Sequence, residues 1–232
     1  MLTFYVGFDS REPRSFEVTK KSLGGLRVEK LEHRALRRRG LFTRPWTITS
    51  EGQFVDQRDG KPFSTEFSFT RFLVPTLAKE AQVGRYVAFV DGDFLFQEDP
   101  RNILDVVKAY RAPVYVVKHD YLPTERYKMD GMLQSAYGCK LWSSLMLFDL
   151  ENPLLRNLTP DRVNQMPGFA LHQFKWLPSI DDVEALDPRW NVLTHKPWTG
   201  PVGAYHYTLG TPELKEDCPH AAEWLAMEKR VV

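Results

Sequence analysis

Residues 85–100 read RYVAFVDGDFLFQEDP, and the fold turns on what ends the apolar run from Val87 to Val90. An unbroken run of β-branched and aromatic residues reads as a buried strand. Two carboxylates, Asp91 and Asp93, flank Gly92 where that strand stops. In an open α/β sheet the ligand crevice lies beyond the carboxyl ends of the strands, so an acidic pair there stands where a charged substrate or a metal would bind. The structural alternative is two solvated turn aspartates that cap a helix.

Upstream, LTFYVGF (2–8) predicts a first strand, with turn residues leading into a helix over 13–23. RVEKLEH (27–33) alternates like a half-exposed strand, and FTRPWTITSEGQFVDQRDGKPFS (42–64), rich in Gly, Pro and Asp, predicts an irregular loop over the site. STEFSFTRFLVPTLAKEA (64–81) predicts a helix capped by Ser64 or Thr65, with Pro75 kinking or breaking it. Downstream, RNILDVVKAY (101–110) predicts a helix and APVYVVKHD (112–120) a third strand. LWSSLMLFDL (141–150) is a further buried strand, and TPDRV (159–163) starts a helical region broken at Pro167-Gly168. The tail places His206 in a Gly- and Pro-rich loop and closes with a helix near Pro219. Strand, helix and strand recurring in this order predict an α/β fold, Rossmann-like, with a mostly parallel central sheet flanked by helices and no Gly-rich phosphate fingerprint.

The 232 residues, 43% of them hydrophobic, fit one large domain. Lys and Arg total 31 against 30 acidic residues, so no global field draws in nucleic acid or an anionic membrane. The one basic cluster, HRALRRRG (33–40), reads as a solvated segment that keeps a nucleic-acid acceptor open. Cys139 and Cys218 suggest neither a disulfide framework nor a zinc site. No apolar stretch reaches the roughly 18 residues of a membrane span, so the expectation is a cytoplasmic protein without integral membrane association.

Two carboxylates one residue apart can both reach a hard divalent cation whose shell is completed by substrate phosphates. Arg71, just upstream of the acidic strand, has the fork that recognises phosphate or sugar hydroxyls, or it simply pairs with Glu66 or Glu80. His206, in GAYHYTLGTP (203–212), either completes a mixed oxygen and nitrogen shell or packs in the core.

YVGFDSRE, PFSTEFSFTRFLVP, FVDGDFLF, VVKHDY, WSSLMLFDL and AYHYTLGTP, in that order along nearly the whole chain, resemble bacterial and phage proteins similar to glycosyltransferase family 8, enzymes of the GT-A fold. The resemblance implies a single GT-A domain in which 1–120 mainly bind nucleotide and metal, while 121–232 supply the acceptor side and a C-terminal metal-ligand loop. It implies a nucleotide-sugar donor, usually a UDP-sugar, manganese (or magnesium) as cofactor, and retaining transfer to an acceptor hydroxyl on a glycan, lipid, protein or modified nucleic acid. The family's metal ligands fall on Asp91, Asp93 and His206, and its donor contacts on Phe8, Asp9, Arg71, Asp91, Gly92, Ser143 and Ser144. Family members commonly carry Lys-Pro-Trp after the metal histidine. Here HKPW (195–198) precedes His206, which leaves Lys215, and behind it Lys196, for the diphosphate. The family's Asp-Gln pair aligns loosely with His172-Gln173, so Gln173 and Asp130 are the catalytic candidates. With no well-placed carboxylate nucleophile, a same-face mechanism and a double displacement both stay open. So do two other classes of function: a metal-dependent nucleotidyltransferase or phosphohydrolase, and a non-catalytic protein that binds nucleotide sugars or glycans.

Overall fold

The computed structural model describes residues 2–120 and 139–231. The candidate Asp130 lies outside them. Strand β1 (Thr3–Gly7) is buried along its whole length, and helix α1 (Pro13–Ser22) starts with proline in its first turn, where a missing N–H costs nothing. Strand β2 (Arg27–Leu31) pairs parallel with β1 and forms the sheet edge, where its charged side chains guard unpaired backbone. Helix α2 (His33–Arg38) carries the basic cluster. Its Arg37 lies over the rings of Phe42 and Trp46 and donates to the Arg44 carbonyl, so it is tied into the fold, whereas Arg39 pairs with Glu80 on the surface.

Residues 42–64 are not an irregular loop. They form β3 (Trp46–Ile48), β4 (Phe54–Asp56) and β5 (Pro62–Phe63), an antiparallel sheet of three strands. Gly52 and Gly60, at φ +82° and +69°, make its turns, which is the left-handed conformation other residues resist. Trp46, Phe54 and Phe63 bury its inner face. The helix expected over 64–81 is shorter as well: a 3-10 turn (Thr70–Leu73) precedes α3 (Val74–Glu80). Pro75 sits in the first turn of α3, starting the helix instead of kinking it, and Thr65 bonds Ser68 in the approach instead of capping.

Strand β6 (Tyr86–Val90) pairs parallel with β1, and β7 (Phe94–Phe96) leaves the sheet after the acidic turn. Pro100–Lys108 is a 3-10 helix capped by Asp99, not an α-helix. Next come β8 (Val114–Val116), β9 (Leu145–Asp149), α4 (Pro160–Gln165) and α5 (Gly168–His172), the two helices separated at Met166-Pro167. The chain ends with β10 (Val183–Ala185), β11 (Val192–Leu193), β12 (Ala204–His206) and α6 (Ala221–Glu228).

The central sheet runs β10-β8-β9-β6-β1-β2, mostly parallel, with β9 antiparallel to both neighbours. Apolar layers cover both faces, which is why β6 and β9 are unbroken apolar runs and not alternating ones. A second sheet, β11-β12-β7, holds His206 in a strand, correcting the expected loop. Among the described residues no helix is long and apolar enough to cross a membrane.

Candidate metal and ligand site

The acidic turn is held by backbone on every side. Asp91 N–H donates to the Ser144 carbonyl (2.9 Å), and the Asp93 carbonyl accepts from Tyr207 N–H (3.0 Å). The hydroxyl of Thr19, fully buried on α1, lies 2.8 and 2.7 Å from the carbonyl oxygens of Gly92 and Phe94. Gly92 is required by contact: a Cβ there would stand 2.5 Å from the Gly7 carbonyl oxygen, so the turn crosses the end of β1 backbone to backbone. Strand β7 then pairs with β12 in a register that sets His206 opposite Phe94, their rings stacked at 4.2 Å. As a result Asp91 and Asp93, on either side of Gly92 in the turn, and His206, distant in sequence, each offer a ligand atom within 4.8 Å of the others.

The His206 tautomer follows from a hydrogen-bond chain that ends on a carbonyl. The Leu141 carbonyl can only accept, so the Ser144 hydroxyl donates to it (2.6 Å). Ser144 Oγ must then accept from Asn191 Nδ2 (2.9 Å), which turns Asn191 Oδ1 toward His206 Nδ1 (2.8 Å). Nδ1 therefore donates to Asn191, which leaves Nε2, 3.4 Å from Asp93 Oδ1, as the ring nitrogen that faces the carboxylates. Two carboxylates and an imidazole lone pair are a donor set that suits a hard to borderline divalent cation, and these residues fit one.

Arg71 is buried behind this corner, with Nη1 2.8 Å from Asp91 Oδ1 and 2.9 Å from the Ser143 carbonyl, and the Phe89 ring beneath it. It is neither on the surface nor paired with Glu66 or Glu80. Ser143 and Ser144 lie in a 3-10 turn ahead of β9 and not within the strand. Ser143 Oγ meets His172 Nδ1 at 2.7 Å. Burial, reinforced by the Arg71 charge, holds the His172 imidazole well below its usual pKa, so it is neutral.

Two clefts flank the turn. The larger is walled by the small sheet (Asp59, Phe63), by Arg71, Asp91, Ser143 and Ser144, and by α5 (Phe169, His172). The smaller runs past Gly7, Asp9, Ser15, Thr65, Gly92 and Asp93. Asp9 thus borders the smaller cleft, but its carboxylate already accepts from Arg11 Nε (2.9 Å), Arg11 Nη2 (2.7 Å) and Glu66 N–H (3.1 Å). Phe8 lines neither cleft; it packs edge-on against Phe16 under the Lys30 ammonium. Lys215 lies 3.8 Å from Asp217, and neither it, Lys196 nor Gln173 lines either of these two clefts. Asn191, Thr19 and Arg11 went unnoticed in the sequence. No local pattern marks them, because each matters through a partner brought in by the fold.

Protein CDI of Arabidopsis thaliana is 34% identical to this chain over 235 residues, a match covering 95% of this chain and 83% of that protein. No protein-family model matches. Among solved structures, a glycosyltransferase involved in glycosylation of the major capsid of PBCV-1 is similar at TM-score 0.52 and 8% identity, covering 99% of this chain and 98% of that one. The galactosyltransferase LgtC, in complex with donor and acceptor sugar analogs, is similar at TM-score 0.52 and 12% identity, covering 98% and 95%. The glycosyltransferase GlyE of Streptococcus pneumoniae TIGR4 is similar at TM-score 0.56 and 11% identity, covering 97% of this chain and 59% of that one. At such identities the likeness carries the fold, and the fold is that of GT-A glycosyltransferases.

Proposed function

We propose that this chain, which belongs to the family of Protein CDI, is a metal-dependent glycosyltransferase of the family 8 type that moves a sugar from a UDP-sugar to an acceptor hydroxyl with retention. The reading rests on one observation above all: the ligand atoms of Asp91, Asp93 and His206 converge within 4.8 Å at the carboxyl end of β6. Sequence position and strand geometry agree there, although nothing local joins His206 to the two aspartates.

Asp91, Asp93 and the His206 Nε2 would hold manganese or magnesium, which when bound neutralises charge on a departing diphosphate. Arg71 keeps the Asp91 carboxylate aimed and adds positive charge behind it. Asp9 and Gly92 border the nucleoside and diphosphate in the smaller cleft, and Ser143 with Ser144 borders the sugar in the larger one. Lys215 remains the diphosphate lysine by resemblance alone, and Gln173 and Asp130 the candidates beside the sugar. In this division residues up to 120 serve donor and metal, and the later ones serve the acceptor, His206 and the serines returning to the donor corner. Of the carboxylates lining the larger cleft, Asp56 is sealed against Arg44, Asp59 accepts from the Lys61 and Gly168 N–H groups, and Asp91 is assigned to the metal. Among the described residues this inventory favours same-face displacement over a covalent glycosyl intermediate, and Asp130, which lies outside them, is the carboxylate that would reverse it.

Thermal unfolding with nucleotides and nucleotide sugars, with and without manganese, tests the reading, since a ligand specific to the folded state raises apparent stability. UDP or a UDP-sugar is expected to stabilise only with the cation. Equal stabilisation in EDTA removes the metal, and release of a nucleoside monophosphate without sugar transfer replaces the reaction with a nucleotidyl or hydrolytic one.

A further inference from the structure

We infer that Asn191 is a positioning residue for the cation, acting through His206, and that Ser144 ties this action to Asp91. The inference rests on the metal reading above. Asn191 is fully buried in the 3-10 turn (Pro188–Asn191) that leads into β11. A buried amide is costly unless both ends are bonded, and here both are: Oδ1 to His206 Nδ1 and Nδ2 to Ser144 Oγ.

The competing state shows what the amide is for. Nε2 of His206 already lies 3.4 Å from Asp93 Oδ1. If the imidazole carried its proton on Nε2, ring and carboxylate would satisfy each other, and the proton would stand where the cation has to sit. Asn191 Oδ1 opposes the neutral Nε2–H ring by accepting from Nδ1, and it fixes the ring plane so that Nε2 faces the carboxylates. Ser144 holds the amide this way round, because its own proton goes to the Leu141 carbonyl and its oxygen can only accept, so the amide cannot turn over without losing both bonds. The Ser144 carbonyl also takes the Asp91 N–H at 2.9 Å. One residue thus holds the backbone of one metal ligand and, through Asn191, the ring of another.

The test uses N191L, N191D and S144A, with H206A as reference, and two measurements: the His206 tautomer in the metal-free protein from nitrogen-15 shifts and two-bond correlations, and manganese affinity by calorimetry. Wild type is expected to carry the proton on Nδ1. N191L should move it to Nε2 and weaken manganese roughly 10- to 100-fold, the range for losing the partner that orients a metal-bound imidazole. N191D keeps the acceptor for Nδ1 but loses the Nδ2 donor to Ser144, so it should keep the proton on Nδ1 where N191L does not, and S144A should fall between wild type and N191L in affinity. A folded N191L with the proton on Nδ1 and wild-type affinity, beside an H206A that has lost affinity, overturns the inference alone. Wild-type affinity in H206A overturns the metal reading and the inference with it. Should N191L not fold, S144A decides: an unchanged tautomer and affinity there remove the relay.

Discussion

Two arginine–aspartate pairs meet the larger cleft, and they differ in what surrounds them. Arg44 and Asp56 are sealed, their side chains 0% and 1% exposed. The guanidinium bonds both carboxylate oxygens, donates to the carbonyls of Val163, Asn164 and Met166, and lies 4.2 Å from the Phe69 ring centroid. This pair fastens the small sheet to the α4–α5 segment. Arg71 and Asp91 form the same chemical pair at 2.8 Å, yet the carboxylate is 13% exposed and borders the cleft. The first pair spends its charge on the fold. The second keeps an acid aimed at open space, which is what a ligand site requires.

If that contrast is right, the sealed pair should be the larger contributor to stability. Asp56→Ala leaves the Arg44 charge buried without its partner and should cost about 3–5 kcal/mol in denaturant unfolding. A loss below about 1 kcal/mol would mean that water reaches the pair, and the contrast with Arg71–Asp91 would go. Gly92→Ala comes next. A methyl 2.5 Å from the Gly7 carbonyl oxygen cannot be relieved by a flexible side chain, since both partners are backbone. The expected loss is about 1–3 kcal/mol, with the cation response of the site abolished because the turn has to shift. Wild-type cation binding in that variant would show that the turn has slack the contact denies.

These two residues also mark where the sequence can be read and where it cannot. The acidic turn is legible because a strand end is local: the apolar run Val87–Val90, the glycine and the two acids lie within seven residues. β1, β2, β6 and β9 are legible for the same reason. Arg44 and Asp56 are not, since FTRPWTITSEGQFVDQRDGKPFS is full of turn formers, and only pairing among β3, β4 and β5 converts them from loop to sheet. His206 reads as a loop residue because Gly203 and Gly210 flank it, whereas partners on both sides make β12 a strand. The antiparallel direction of β9 is missed because periodicity carries no direction. Asn191 is missed because an asparagine announces neither its burial nor its partner.

Glu66 stands between the two pairs in character and should give a smaller effect that pH can read. Its carboxylate accepts from Ser10 N–H (2.8 Å) and Ser10 Oγ (2.9 Å), with His33 Nε2 at 3.5 Å. Burial pushes its pKa up, but the bonds from His33 and Ser10 outweigh it and bring the value down to about 2. A carboxylate depressed in the folded state contributes its stability fully above its unfolded pKa, 4.5, and loses it as pH falls through about 2. Wild type should therefore lose about 1–2 kcal/mol more than Glu66→Gln over that window. Parallel pH profiles would place Glu66 with the solvated acids.

The smallest change in stability, and the sharpest change in binding, is expected from Asp91→Asn. Arg71 keeps the Ser143 carbonyl and the Phe89 ring, so the buried guanidinium loses its counter-charge but not these contacts. Stability should stay within about 1 kcal/mol of wild type, the scale of one neutral hydrogen bond. The same substitution removes an anionic ligand from the convergence of Asp91, Asp93 and His206, and an amide is a poor replacement for a carboxylate on a divalent ion. Manganese should then fail to enhance stabilisation by UDP, as judged by thermal unfolding at fixed nucleotide concentration. Asp56→Asn serves as the internal control, expected to lose stability and to leave the cation response of the folded fraction intact. If Asp91→Asn destabilises as much as Asp56→Asn and still responds to manganese, both aspartates belong to the scaffold and the site has to be sought elsewhere.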